Sequence, residues 1–163
     1  MTLEEAKAYL RLETTQDDAL LTGIVASARG LCEAFLGQRL IRRVLSEELA
    51  ADGQWQRLAA APVAAITAVE RGGEALGVEA YAIDIDPAGD GWVRVGGGGR
   101  VRVTYRAGIA DDAAGVPAAI AQGVVRLAAH LYADRTDGQA PPPAVAALWR
   151  PFRRLRLSRG VRA

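Results

Sequence analysis

Few side chains in this sequence are of the kinds that do chemistry, and their spacing limits what they could do. The one histidine, His130, lies in an apolar helical stretch with Asp134 four residues on. No Cys or second His stands three or four residues away, so a zinc site there would lack ligands. A packed or partly exposed structural histidine, hydrogen-bonded to Asp134, is the expectation. The one cysteine, Cys32, allows no internal disulfide. It falls inside an apolar pattern, as a buried inert thiol does. Asp84, Asp86 and Asp90 cluster near a turn but lack the ordered ligand set and closing Glu of an EF-hand, so a solvated turn is expected. The run Gly96–Gly99 invites comparison with a phosphate loop. However, no Lys-Ser or Lys-Thr follows it, and a strand rather than a helix comes next, so a flexible hairpin tip is expected. No serine or cysteine has the setting of a nucleophile. These residues predict no catalytic group, no cofactor and no metal.

The C-terminus is chemically richer. Residues 150–163 hold six arginines and no acid. Leu155 and Leu157 alternate with Arg154 and Arg156, and Trp149 and Phe152 precede them. Three readings fit. The segment is a disordered basic tail, a docking peptide with apolar anchors and arginine forks that pair with carboxylates, or a nucleic-acid backbone contact. Scarce lysine and few stacking aromatics weigh against the last.

The elements that must carry these groups follow from periodicity. Thr2-Leu3-Glu4-Glu5 fits a capping box that opens a short helix ending near Leu10 to Leu12. Asp17 or Asp18 is expected to cap a second helix. Its apolar positions run from Leu20 through Leu36, and Gly37 ends it. From Leu40 to Arg106 the period changes. Short strands are predicted at Ile41–Leu49, Trp55–Leu58, Val63–Arg71, Val78–Ile85, Trp92–Val95 and Arg100–Arg106, punctuated by Gly, Pro and Asp. The last alternates cleanly, with Val101, Val103 and Tyr105 on one face, which predicts a sheet with one packed side. Pro117 then starts a helix to Asp134 whose stripe of Ile120, Val124, Leu127 and Leu131 is widened by Ala121, Val125, Ala128 and Tyr132. The expected partners of this central helix are the second helix and the Val101–Tyr105 face. Pro141-Pro142-Pro143 is read as an extended hinge, with one or two helical turns over Ala144–Trp149.

The predicted class is therefore α+β: a small helical bundle with an inserted antiparallel β module and an extended basic C-terminal tail. The helical core is assigned to 1–39 and 107–148, the β module to 40–106 and the docking tail to 149–163. A chain of 163 residues suits one domain with an insertion and needs no staple. Half of it is hydrophobic, with only nine aromatic residues, so small and aliphatic side chains build the core. Net charge is +1, but acids concentrate in residues 1–20 and arginines at the C-terminus, which favours association with copies or with an oppositely charged partner. No run reaches the length of a membrane span, and the acidic N-terminus does not resemble a signal peptide. A reducing, cytoplasm-like compartment is expected.

The order of segments resembles tailed-phage and gene transfer agent head–tail connector (adaptor) proteins. The resemblance rests on LEEAKAYLRLE, DDALLTGIVASARGLCEAFLGQRL, VTYRAG, VPAAIAQGVVRLAAHLYADR and the proline-spaced ALWRPFRRLRL. It covers both helical ends; the middle matches only as an inserted strand-rich region. It implies a structural protein without catalytic residues that forms a homo-oligomeric ring, typically dodecameric, beneath the portal protein. Such a ring extends the DNA channel, with DNA passing through without sequence-specific binding. It meets a stopper (head-completion) or tail protein on its other side, contacts no membrane, and sits at the head–tail interface of a virion or virion-like particle assembled in the bacterial cytoplasm. The C-terminal segment in such adaptors docks on the portal, which makes Trp149, Arg150, Phe152, Arg153, Arg154, Leu155, Arg156 and Leu157 the portal-docking candidates. A small nucleic-acid-binding protein using the arginine-rich tail is the alternative function.

Overall fold

The computed structural model describes residues 2–133 and 141–154. Two compact units divide the chain: Met1–Gly37 together with Asp112–Arg154, which is helical, and one built on Gln38–Asp111, which is β.

In the helical unit the capping box forms as its sequence requires. The Glu5 N–H donates to Thr2 Oγ1 at 3.2 Å, and the Thr2 N–H donates to Glu5 Oε2 at 2.7 Å. Helix α1 (Leu3–Leu10) then runs to Arg11, which takes the left-handed conformation at φ 57°. Helix α2 (Asp18–Leu36) ends at Gly37, whose φ of 66° suits glycine. Asp17 stands at the N-cap position but its side chain caps nothing; its carboxylate instead accepts the Tyr132 hydroxyl at 2.6 Å. Its neighbour Asp18 accepts the Lys7 ammonium at 2.8 Å. Two adjacent acids thus tie the start of α2 to two other helices. Lys7 is buried, as a charge can be only when paired.

Helix α3 (Ala118–Ala133) is the hub of this unit, packing on α1, α2 and α4 (Pro143–Trp149). Its buried positions are Ile120, Gly123, Val124, Leu127 and Ala128. The predicted stripe is therefore rotated: Leu131, Ala121, Val125 and Tyr132 are only half-buried, while Gly123 is central. The proline run does not act simply as an extended hinge, because Pro143 is the first residue of α4. Proline is tolerated there since its missing N–H has no intrahelical partner. By length and hydropathy α2 is long and apolar enough to cross a bilayer. Consecutive apolar runs did not reveal this, because Thr22, Ser27 and the glycines interrupt them without lowering its hydropathy much. One side of it, through Leu21, Val25, Ala28, Cys32 and Leu36, is buried in the helical unit.

The β unit holds two antiparallel sheets. One has the order β1-β7-β3-β4, from β1 (Arg43–Ala50), β7 (Arg100–Ala107), β3 (Val63–Arg71) and β4 (Glu74–Ala75). The other has the order β2-β6-β5, from β2 (Trp55–Arg57), β6 (Gly91–Val95) and β5 (Tyr81–Ile85). The six expected strands are present. Val78–Ala80 is a 3-10 turn instead of the start of a strand, because the chain must reverse after the short β4 before pairing with β6. Val101, Val103 and Tyr105 do form the packed face of β7, but the expected partner is corrected. They lie in the core of the β unit with Leu58, Val69, Val93 and Val95 from both sheets. An alternating strand with one dry face can be satisfied by a second sheet as well as by a helix. The Tyr105 hydroxyl accepts the Ala60 N–H at 3.2 Å, and burial pushes its pKa up to about 12. Gly108, at φ 151°, passes so close to Arg42 that a Cβ there would lie 2.4 Å from backbone atoms.

Candidate docking surfaces

The sites suggested by lone reactive groups resolve into structural roles. Cys32 is fully buried, and desolvation raises its thiol pKa to about 12, so it is inert. His130 is half-buried on α3; the expected bond to Asp134 lies outside the described residues. Asp86 folds its own turn. One carboxylate oxygen accepts the Asp90 N–H at 2.9 Å and the other accepts Trp92 Nε1–H at 3.1 Å. Asp90 pairs with Arg57 across 3.8 Å. These acids are structural, and no cluster able to hold a metal occurs among the described residues.

The glycine run is not a loose tip. Gly97, Gly98 and Gly99 all have positive φ, which lets the chain fold back on Ala51. The Gly98 N–H donates to Ala51 O and the Ala51 N–H donates to Gly99 O, both at 2.9 Å. Arg71 closes the tip by donating to Gly96 O at 2.6 Å.

The C-terminal candidates separate into two kinds. Trp149 is fully buried. Its Nε1–H donates to Ile120 O at 3.2 Å, and its ring lies 5.7 Å from that of Phe35. The slot for the indole exists because position 123 is glycine: a Cβ there would fall 2.2 Å from Nε1. Trp149 is therefore a core side chain, and its indole cannot meet a partner while α4 stays in place. After it, the chain is held along the end of α2. The Arg153 guanidinium stacks 5.2 Å over the Phe35 ring, and the Arg154 N–H donates to Leu36 O at 2.9 Å. Arg150 and Arg153 are exposed, and Phe152 and Arg154 are half-buried. Leu155, Arg156 and Leu157 lie outside the described residues. Sequence reasoning missed the anchoring role of Trp149; the signal was Gly123, an otherwise helix-weakening residue on the buried face of α3.

Two exposed apolar surfaces also stand out. The outer side of α2 presents Leu20, Gly23, Ser27, Gly30 and Leu31 to solvent without a charge among them. Strand β5 presents Ile83 and Ile85, with Val78 just before it.

The described residues form a small helical unit with an inserted unit of two antiparallel sheets, and the chain through Arg154 is held along the end of α2. Known structures share this architecture. A chain in the neck of an empty GTA (gene transfer agent) particle, computed with C6 symmetry, superposes with a TM-score of 0.79 and 26% identity, covering 98% of this chain and 92% of that one. A chain of the virion of a native gene transfer agent particle gives 0.77 and 28%, with the same coverages. A chain in the neck of the native particle, computed with C12 symmetry, gives 0.73 and 27%, covering 98% and 96%. At the sequence level, residues 1–70 match the model of the family described as Phage gp6-like head-tail connector protein. No curated protein matches the chain. The resemblance read from the sequence is thereby shown, and the matched family and neighbours are structural particle proteins rather than enzymes. A structural connector role follows.

Proposed function

We propose that this chain is a head–tail connector (adaptor) subunit that forms a ring beneath the portal, extends the DNA channel and joins the capsid to a stopper or tail protein. Its place would be the head–tail interface of a phage or gene transfer agent particle. The observation that carries this reading is the whole-chain likeness to neck chains, 98% of the sequence at a TM-score of 0.79. The family match over residues 1–70 supports it independently. A ring needs two unlike complementary surfaces on each copy, and the outer face of α2 and the β5 side supply exposed apolar area. In this reading Arg150, Phe152, Arg153 and Arg154, with Leu155, Arg156 and Leu157 beyond them, contact the portal, and Trp149 mounts them on α3. DNA passes through the ring and is not read.

The test is attachment to the portal by a chain shortened after Arg154. That truncation spares Trp149 and the contacts to Phe35 and Leu36, so the helical unit keeps its packing. Reduced co-sedimentation with portal particles is expected, with a further loss on Arg150→Glu. Unchanged attachment in both variants would remove the docking assignment.

A further inference from the structure

Helix α2 carries two glycines that its own fold does not use. Neither Gly23 nor Gly30 has a positive φ, and a Cβ at either would meet nothing within 4 Å. Glycine weakens a helix interior, so both positions lower stability with no packing gain inside the chain. Gly23, Ser27, Gly30 and Ala34 fall within about 60° of one another around the helix, and all are exposed. Leu20 and Leu31, 46% and 41% exposed, wall this floor on one side. The Ser27 hydroxyl donates to Gly23 O at 3.0 Å, which leaves its oxygen able to accept. Of the apolar span of α2 only 28% is buried. The result is an uncharged trough that suits a flat, bulky side chain bearing a hydroxyl donor.

The helical unit also presents such a side chain. Tyr9 on α1 is 50% exposed, the only exposed aromatic among the described residues. The Lys7–Asp18 pair at 2.8 Å marks the side on which α1 and α2 meet. Tyr9 stands about 200° round α1 from Lys7, and Gly23 and Gly30 stand about 120–140° round α2 from Asp18. Tyrosine and trough therefore face away from each other across one unit, and Tyr9 does not reach the trough of its own chain. A cyclic ring needs two such unlike surfaces. A contact of α2 with α2 would be self-complementary and close a pair, whereas the necks to which this chain is similar have C6 or C12 symmetry.

We propose that Tyr9 of one copy seats in the Gly23–Gly30 trough of the adjoining copy. The missing Cβ atoms let the phenol ring lie against the α2 backbone, Leu20 and Leu31 cover its edge, and its hydroxyl donates to Ser27 Oγ. The inference rests on the ring reading and names the contact between copies within it. It uses none of the residues assigned to the portal.

The experiment counts copies of the full-length chain that sediment with portal particles. Nothing stands over Gly23 or Gly30, so Gly23→Leu and Gly30→Leu should keep or raise the melting temperature of the isolated chain, leucine being the better helix former. Both should lower the bound copies at least ten-fold, and Tyr9→Ala should lower them likewise. With p-benzoylphenylalanine at position 9, irradiation on the portal should link two copies through residues 20–31. Full occupancy by both leucine variants, or photolinks that avoid α2, would overturn the pairing and leave the connector reading standing. A lower melting temperature in both leucine variants would overturn it too, because the glycines would then serve the fold itself. Failure of the unsubstituted chain to sediment with the portal would reject the connector reading, and this pairing with it.

Discussion

Trp149 and Ile83 look alike in sequence, large apolar side chains set among charged or turn-forming neighbours, yet one is fully buried and the other is 45% exposed. The difference lies in what faces them. Gly123 leaves a slot the shape of an indole beside the Ile120 carbonyl, so α4 is locked onto α3. Beside Ile83 the sheet stops at β5, so the side chain ends at a rim. One region uses its apolar surface to hold α4 and the chain through Arg154, and the other leaves apolar side chains exposed. Buried anchorage and exposed apolar surface are thus found in different units.

This contrast can be broken at each side. The largest effect is expected at the anchor. Trp149→Ala removes a fully buried aromatic and should cost about 3–5 kcal/mol of stability. Gly123→Leu forces the indole out of its slot and should cost at least a comparable amount, about 3 kcal/mol. Chemical denaturation reads both, and a loss below about 1 kcal/mol in either variant would show that α4 does not depend on the slot. Next is the tie at the start of α2. Lys7 loses its partner in Asp18→Ala and remains buried, so a loss of about 1–3 kcal/mol is expected, with a smaller one in the Lys7→Met, Asp18→Leu double variant. A double variant weaker than either single one would contradict the pairing.

At the rim the expectation reverses. Ile83→Asp should change stability by only about 0.5 kcal/mol, since its side chain is half in water. A large stability loss would mean that Ile83 belongs to the anchored kind. A separate effect appears only in alkali. Cys32 and Tyr105 have pKa values raised by burial from 9.0 and 10.0 to about 12 each. Folding holds their protons where the unfolded chain would release them, so their contribution is intact below pH 9 and falls as pH rises toward 12. Thermal melts should show decline beginning above pH 9, and Cys32→Ala should flatten the lower part of it.

Much of the framework was legible because it is local. The Thr2–Glu5 box, the Gly37 stop and the clean alternation of β7 each depend on residues a few positions apart. What the sequence hid depends on distant pairs. Nothing near Trp149 announces that Gly123 receives it, and nothing near Asp17 announces that Tyr132 takes the oxygen expected to cap α2. The Gly96–Gly99 run read as slack because the glycines were visible and their fasteners, Ala51 and Arg71, were not. Val101, Val103 and Tyr105 were given the right face and the wrong neighbour, since strand periodicity identifies a dry side without saying what dries it. The C-terminal candidates were grouped by charge, apolar spacing and resemblance; that Trp149 is buried while Arg150 and Arg153 are exposed required the fold.

The central claim is that this chain joins a head to a tail as a ring on the portal. Cryo-electron imaging of the chain assembled with portal particles tests it most directly. The account predicts a closed ring below the portal, twelve-fold like the C12 neck to which the chain is similar, with residues 150–157 at the portal contact and Trp149 still seated on Gly123. A chain that leaves the portal bare, or a ring that meets the portal through a surface without these residues, would contradict it.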